Sequence, residues 1–172
     1  MMDRRFPIGQ FQQEGPISEE QIKRWIEEIS QLPEQVISLV KRLSESELLH
    51  TYREGGWNIK QIVHHIADSH LNSFIRFKLA LTEENPIIKP YEEAEWAKLP
   101  DYDMPPQFAF ELLASIHRKW VVLLRSLTAE QLERTFQHPE SGEVSLKENI
   151  GIYAWHGKHH LAHIRLALVS QD

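Results

Sequence analysis

Apolar residues recur at helical spacing in four long stretches, and no stretch of useful length alternates as a strand would. That pattern restricts the chain to helix-on-helix packing. The first stretch opens at Ser18, with Gln21 three residues on as in a capping box. Ile22, Trp25, Ile26, Ile29, Leu32, Val36, Ile37, Val40 and Leu43 follow on one face. Pro33 falls inside this run and should kink it or split it in two. The second helix opens at Asn58, with Gln61 at the matching position. Trp57 and Ile62 are spaced as a hydrophobic staple across that start. Its apolar face carries Ile62, Val63, Ile66, Phe74, Phe77 and Leu81, and Asn85-Pro86 should stop it near Glu84.

A proline-rich connection spans 85–105, with room for one short helix between Tyr91 and Lys98. Pro105 and Pro106 suit the first turn of a third helix. That helix is lined by Phe108, Leu112, Leu113, Ile116, Trp120, Leu123, Leu124 and Leu127. Thr128 and Gln131 cap a short helix, and 134–145 reads as a small hairpin-like loop around Pro139, Ser141 and Gly142. Ser145 and Glu148 open the last helix, which should run to about residue 169. The expected fold is therefore all-α: a single four-helix-bundle domain over 1–172, with short extra helices and an irregular arm over 1–17. In such bundles cofactors sit between helices, held by facing side chains.

Composition narrows the function. A net charge of −6 argues against a nucleic-acid partner, which would need a basic patch. No apolar run approaches a membrane span, and no signal-peptide pattern opens the chain, so a cytoplasmic protein without a membrane partner is expected. The chain has no cysteine. Thiolate ligands, disulfides and a cysteine nucleophile are excluded, any metal must bind through nitrogen and oxygen, and any thiol chemistry must use an external thiol.

Histidine is the residue that stands out. Ten occur in 172 residues, which yields roughly 0.6 chance pairs at any one spacing. Four of them, His156, His159, His160 and His163, fall within eight residues of the last helix. They occupy an arc of roughly 100° on one face. Both His156/His160 and His159/His163 have the i,i+4 spacing that brings ligands together, and spacing alone does not choose between them. On the second helix, His64 and His65 diverge by about 100° and flank its apolar face on opposite sides. His65 shares its side with Gln61, Ser69 and Asn72, a polar stripe. Asp68 lies one turn beyond and could accept from a ligand imidazole or a bound water, or be an ordinary solvated carboxylate. No His-Glu-x-x-His, Gly-x-Ser-x-Gly or glycine-rich phosphate loop is present.

Phe6-Pro7-Ile8-Gly9, Tyr52-Arg53-Glu54-Gly55-Gly56-Trp57, the run from His64 through Asp68-Ser69-His70 to Arg76-Phe77-Lys78-Leu79, and Trp155-His156 through His163-Ile164 together resemble the DinB-like superfamily of metal-binding bundles. Within it the chain is similar to the YfiT group, whose members are assigned to metal-dependent hydrolysis and are related to bacillithiol S-transferases. The resemblance implies a bundle of crossed connectivity and a homodimer. It implies a ligand triad of His65, from His65-Ile66-Ala67-Asp68, with His156 and His160. Ala162-His163 stands where many members carry Gly-Gln, which leaves the role of His163 open.

Three neutral imidazoles with an open position are the pattern of a catalytic metal, with Zn²⁺ expected and Ni²⁺ an alternative. Two chemistries suit it. The metal activates a water that attacks a small-molecule electrophile, or a low-molecular-weight thiol takes the water's place and is conjugated to the substrate. A third reading is a metal- or stress-responsive binding protein without turnover.

Overall fold

The computed structural model describes residues 3–169. Four long helices dominate: α1 (Glu19–Val40), α3 (Ile59–Thr82), α5 (Pro106–Arg125) and α7 (Leu146–Val169). Between them lie the short α2 (Glu45–Leu48), α4 (Glu93–Trp96) and α6 (Ala129–Leu132), a 3₁₀ turn (Pro100–Asp103) and a hairpin of β1 (Thr135–His138) and β2 (Gly142–Ser145). The hairpin pairs Thr135 with Ser145 and His138 with Gly142.

The caps place the helix starts. Ser18 Oγ accepts from the Gln21 backbone N–H, but the Gln21 side chain turns to Gln13 instead of closing the reciprocal bond. At α3 both halves of the box form: Asn58 Oδ1 accepts from Gln61 N–H, and Gln61 Oε1 accepts from Asn58 N–H. The same reciprocal pair forms between Thr128 and Gln131 at α6. α1 runs unbroken through Pro33, so the chain is not split there. α2, with its own Ser44/Glu47 box, is an element the apolar periodicity did not reveal.

α1 packs beside α5 and α7, and α3 packs beside α5 and α7. α1 therefore faces α3 across the diagonal of the bundle, and α5 faces α7. Two apolar clusters give the directions. One joins Trp25 of α1, Phe77 of α3, Trp120 of α5 and Ile150 of α7; the other joins Val36, Ile62, Leu113 and Ile164. The first half of α1 thus shares a level with the first half of α7 but with the second halves of α3 and α5. The neighbours α1 and α7 are parallel, as are α3 and α5. The connectivity is crossed, as expected. The two diagonal links are 41–58 and 126–145, each joining helix ends at the same level. The long 83–105 connection instead joins parallel neighbours, and it must return along a helix of about 36 Å.

α7 lies close to α1 because it carries glycine where they touch. A Cβ on Gly151 would sit 2.7 Å from the Trp25 ring, and one on Gly157 would sit 2.8 Å from Leu32 Cδ2. Between the two apolar clusters lies a polar layer containing His65, Ser69, His70, Ser73, His117, Asn149 and His160, all buried. No helix among the described residues is long and apolar enough to cross a membrane.

Candidate metal centre

Over residues 64–73, α3 mixes polar and apolar side chains where it packs between α5 and α7 in the middle of the bundle. His65 and His64 separate as their 100° offset requires. His65 is 1% exposed and points into the polar layer. His64 turns the other way, and its Nε2–H donates to the Met104 carbonyl at 3.0 Å. On α7, His156 and His160 stand one turn apart and face His65. The ring of His65 lies 5.3 Å from that of His156 and 4.7 Å from that of His160, centroid to centroid.

One nitrogen from each of His65, His156 and His160 falls within 4.8 Å of the other two. A second trio, His159, His160 and His163, meets the same criterion and shares His160. The first trio draws on two facing helices, α3 and α7, whereas the second lies on α7 alone. Two nitrogens bound at roughly 2.0–2.1 Å around a tetrahedral metal lie about 3.3 Å apart, and His65 Nε2 and His156 Nε2 are 3.3 Å apart. In the second trio, His160 Nδ1 and His163 Nδ1 lie 3.4 Å apart, a comparable spacing, while His163 Nε2 is held by the carbonyls of Arg4 and Arg5, at 3.1 and 3.2 Å. His159 stacks on Trp155 with ring centroids 4.6 Å apart, at the edge of the cluster.

Burial keeps these rings neutral. It is the main cause that pushes the His65 pKa down to about 3, and nearby His159 and His163 add to it. His156, His160 and His70 are held well below the usual histidine range for the same principal reason. A neutral ring has a free lone pair, so at neutral pH the trio has the protonation state that a cation needs. The donor set is all nitrogen, which suits Zn²⁺ or Ni²⁺ and does not separate them.

Asp68 does not bond to a ring of the trio. Its Oδ2 accepts from the Tyr102 hydroxyl at 2.8 Å, which ties the 3₁₀ turn to α3. Burial raises its pKa, and the Tyr102 bond partly offsets that. Two residues without a role in the sequence reading now have one. His70 bridges His156 and His117, at 3.1 and 2.9 Å, and His117 Nδ1–H donates to the Ile29 carbonyl at 2.7 Å. A signal for His117 was present: it is a lone histidine on the apolar row Leu113, Ile116, Trp120, where a buried ring needs a polar partner.

Tyr153, whose ring centroid is 5.4 Å from that of His156, also lines a cleft of about 390 Å³ with Ser69, Arg76, Tyr91, Glu93 and His138. Larger hollows lie beside Pro33 and His117 (740 Å³) and between α1 and α5 (460 Å³). None of the three is lined by a member of the first trio; the smaller cleft comes nearest to it through Tyr153, which stands beside His156.

Comparison with known proteins identifies the family. The family model of the DinB superfamily matches residues 28–164. A protein of Halalkalibacterium halodurans named "Putative metal-dependent hydrolase BH0277" is 52% identical over 168 residues, 98% of each chain. The solved structure of YfiT from Bacillus subtilis, described as "a probable metal-dependent hydrolase with an unusual four-helix bundle topology", superposes with a TM-score of 0.92. It is 42% identical and covers 95% of both chains. A mycothiol-dependent maleylpyruvate isomerase shares the fold alone, with a TM-score of 0.68 at 14% identity over 83% of this chain and 60% of that one. With the family match spanning most of the chain and the relatives nearly all of it, this protein belongs to the DinB superfamily, in the group that contains YfiT.

Proposed function

We propose that this protein is a metal-dependent hydrolase of small molecules whose ion is held by His65, His156 and His160. The observation that carries the reading is the convergence of three neutral imidazoles from two facing helices, two of them buried and His156 half-buried, with His65 Nε2 and His156 Nε2 at a tetrahedral ligand spacing. The names of close relatives support the same activity class. When bound, such an ion supplies Lewis acidity and a water-derived nucleophile at neutral pH. The chain's own residues then have separable tasks. Trp57 packs on His65 and His160, at 4.6 and 6.4 Å between centroids, and shields that side from bulk water. The cleft beside Tyr153 has a volume in the range that small-molecule sites occupy, and its hydroxyls and Arg76 offer polar contacts to a substrate. Asp68 acts indirectly in this reading, by holding Tyr102 and the segment that leads into α5. Zn²⁺ is the favoured ion, and the cytoplasm the favoured setting.

One observation favours a second reading, transfer of a low-molecular-weight thiol. Among the described residues, no carboxylate shares a hydrogen bond with any ring of the cluster, and a metal-held thiolate would need no general base to attack. An external thiol would bring its own nucleophilic sulfur, which this cysteine-free chain cannot supply. Product masses separate the two. The zinc-loaded protein is incubated with a panel of esters, amides and alkylating electrophiles, with and without added thiol. Products that gain the elements of water without thiol are expected. Products formed only with thiol, and carrying it, would replace hydrolysis by transfer. No turnover under either condition would leave a binding protein.

A further inference from the structure

Two hydrogen-bond chains run outward from the ligand trio, and each ends on a backbone carbonyl. A carbonyl only accepts, and a neutral imidazole carries a single N–H. These two facts fix every proton along both chains.

In the first chain, His117 Nδ1–H donates to the Ile29 carbonyl at 2.7 Å. His117 Nε2 is then bare and accepts from His70 Nδ1–H at 2.9 Å. His70 Nε2 is bare in turn and accepts from His156 Nδ1–H at 3.1 Å. His156 Nε2 is left as a lone pair, and it is the atom that faces His65. In the second chain, His163 Nε2–H donates to the carbonyls of Arg4 and Arg5. His163 Nδ1 accepts from His160 Nδ1–H at 3.4 Å, which leaves His160 Nε2 bare.

The first anchor exists because of Pro33. In an α-helix the Ile29 carbonyl would accept from the N–H of residue 33, and proline has none. Ile29 is 1% exposed, so this carbonyl has no water to turn to, and His117 supplies the missing donor from α5. The helix-breaking residue inside α1 is thereby tied, through the rings of His117 and His70, to the proposed ligand His156 on α7. The chain ends on a group that cannot take up a proton. It therefore holds a tautomer and does not export protons.

We propose that His70, His117 and His163 are positioning residues, which hold His156 and His160 with their protons on Nδ1 so that both present a bare Nε2 to the metal before it arrives. This rests on the assignment of His65, His156 and His160 as ligands. The nitrogen a histidine offers to a metal is set by the bond its other nitrogen makes, and that bond also stiffens the ring. His65 has no such tie: its Nδ1 is buried without a hydrogen-bond partner.

The test is a long-range proton–nitrogen correlation spectrum of the metal-free, ¹⁵N-histidine-labelled protein at neutral pH. His70, His117, His156 and His160 are expected to carry their proton on Nδ1, and His163 on Nε2. A proton on Nε2 of His156 or His160 would overturn the proposal. A second measurement is Zn²⁺ affinity by competition with a chromophoric chelator. His70→Leu and His163→Leu are expected to weaken it by roughly 10–100-fold. His70→Gln and His163→Gln, which can still accept on one side and donate on the other, are expected to recover most of that loss. Equal losses in the Leu and Gln variants would contradict a tautomer role. Wild-type affinity in His65→Ala would remove the ligand trio instead, and the spectrum would then show whether the two chains stand without it.

Discussion

At the scale of single residues, the account turns on which of the neighbouring histidines face inward. Spacing left His64 and His65 open, and likewise the two i,i+4 pairs on α7. The bundle separates the first pair by direction: His65 enters the polar layer and His64 bonds to Met104 at the rim. His65→Ala, His156→Ala and His160→Ala are each expected to lose stoichiometric zinc, measured by elemental analysis of purified protein. His64→Ala is expected to retain it. A full equivalent of zinc in His160→Ala would remove the assignment. The histidine-bearing face of α7 was legible because four histidines in eight residues leave little freedom on a helix. The roles of His70 and His117 were not. Each depends on a ring from another helix, and no spacing within one helix carries that information.

At the scale of elements, caps and turns were legible because they are local. Ser18, Asn58 and Thr128 each accept from the N–H three residues on, as their positions predict. The last helix starts at Leu146, one residue after Ser145. Pro33 shows where local reasoning stops. The expected break is absent because His117 on α5 satisfies the carbonyl that proline frees. A double-mutant cycle checks this. His117→Leu leaves that buried carbonyl without a donor and is expected to cost about 1–3 kcal/mol in urea unfolding. In a Pro33→Ala background the new N–H at residue 33 can take over, and the cost of His117→Leu is expected to shrink by about 1 kcal/mol. Additive effects would mean that the two residues do not share the Ile29 carbonyl. The pairing of parallel neighbours was not legible either. A connection of some twenty residues is compatible with a diagonal or a lateral link, and only the packing of both apolar clusters decides.

At the scale of the whole molecule, a layer of neutral histidines divides the core, and its consequence is acid sensitivity. Burial lowers the folded pKa of His65 to about 3 and that of His117 to about 4, against roughly 6.5 in an unfolded chain. Between those values the unfolded chain takes up protons that the folded one refuses. The stabilisation from these rings is therefore fully present above pH ~6.5 and is lost as pH falls from there toward 3–4. Urea midpoints of the metal-free protein are expected to be flat above neutrality and to fall steeply below pH ~6. A midpoint unchanged down to pH ~5 would show that the rings are already solvated. The homodimer implied by the family resemblance belongs to this scale too. Phe108 and Leu112, one turn apart on α5, are 50% and 40% exposed and form an apolar strip, which we propose a second copy covers. Light scattering on the eluting protein is expected to give twice the 20.2 kDa chain mass, and a monomer would contradict it.

The central claim is that one ion sits between α3 and α7 on His65, His156 and His160. It is tested most directly by a crystal structure of zinc-loaded protein with anomalous differences collected at the zinc edge. The expected result is one peak per chain, about 2.0–2.1 Å from Nε2 of all three residues. A peak among His159, His160 and His163, or none within reach of His65, would contradict it.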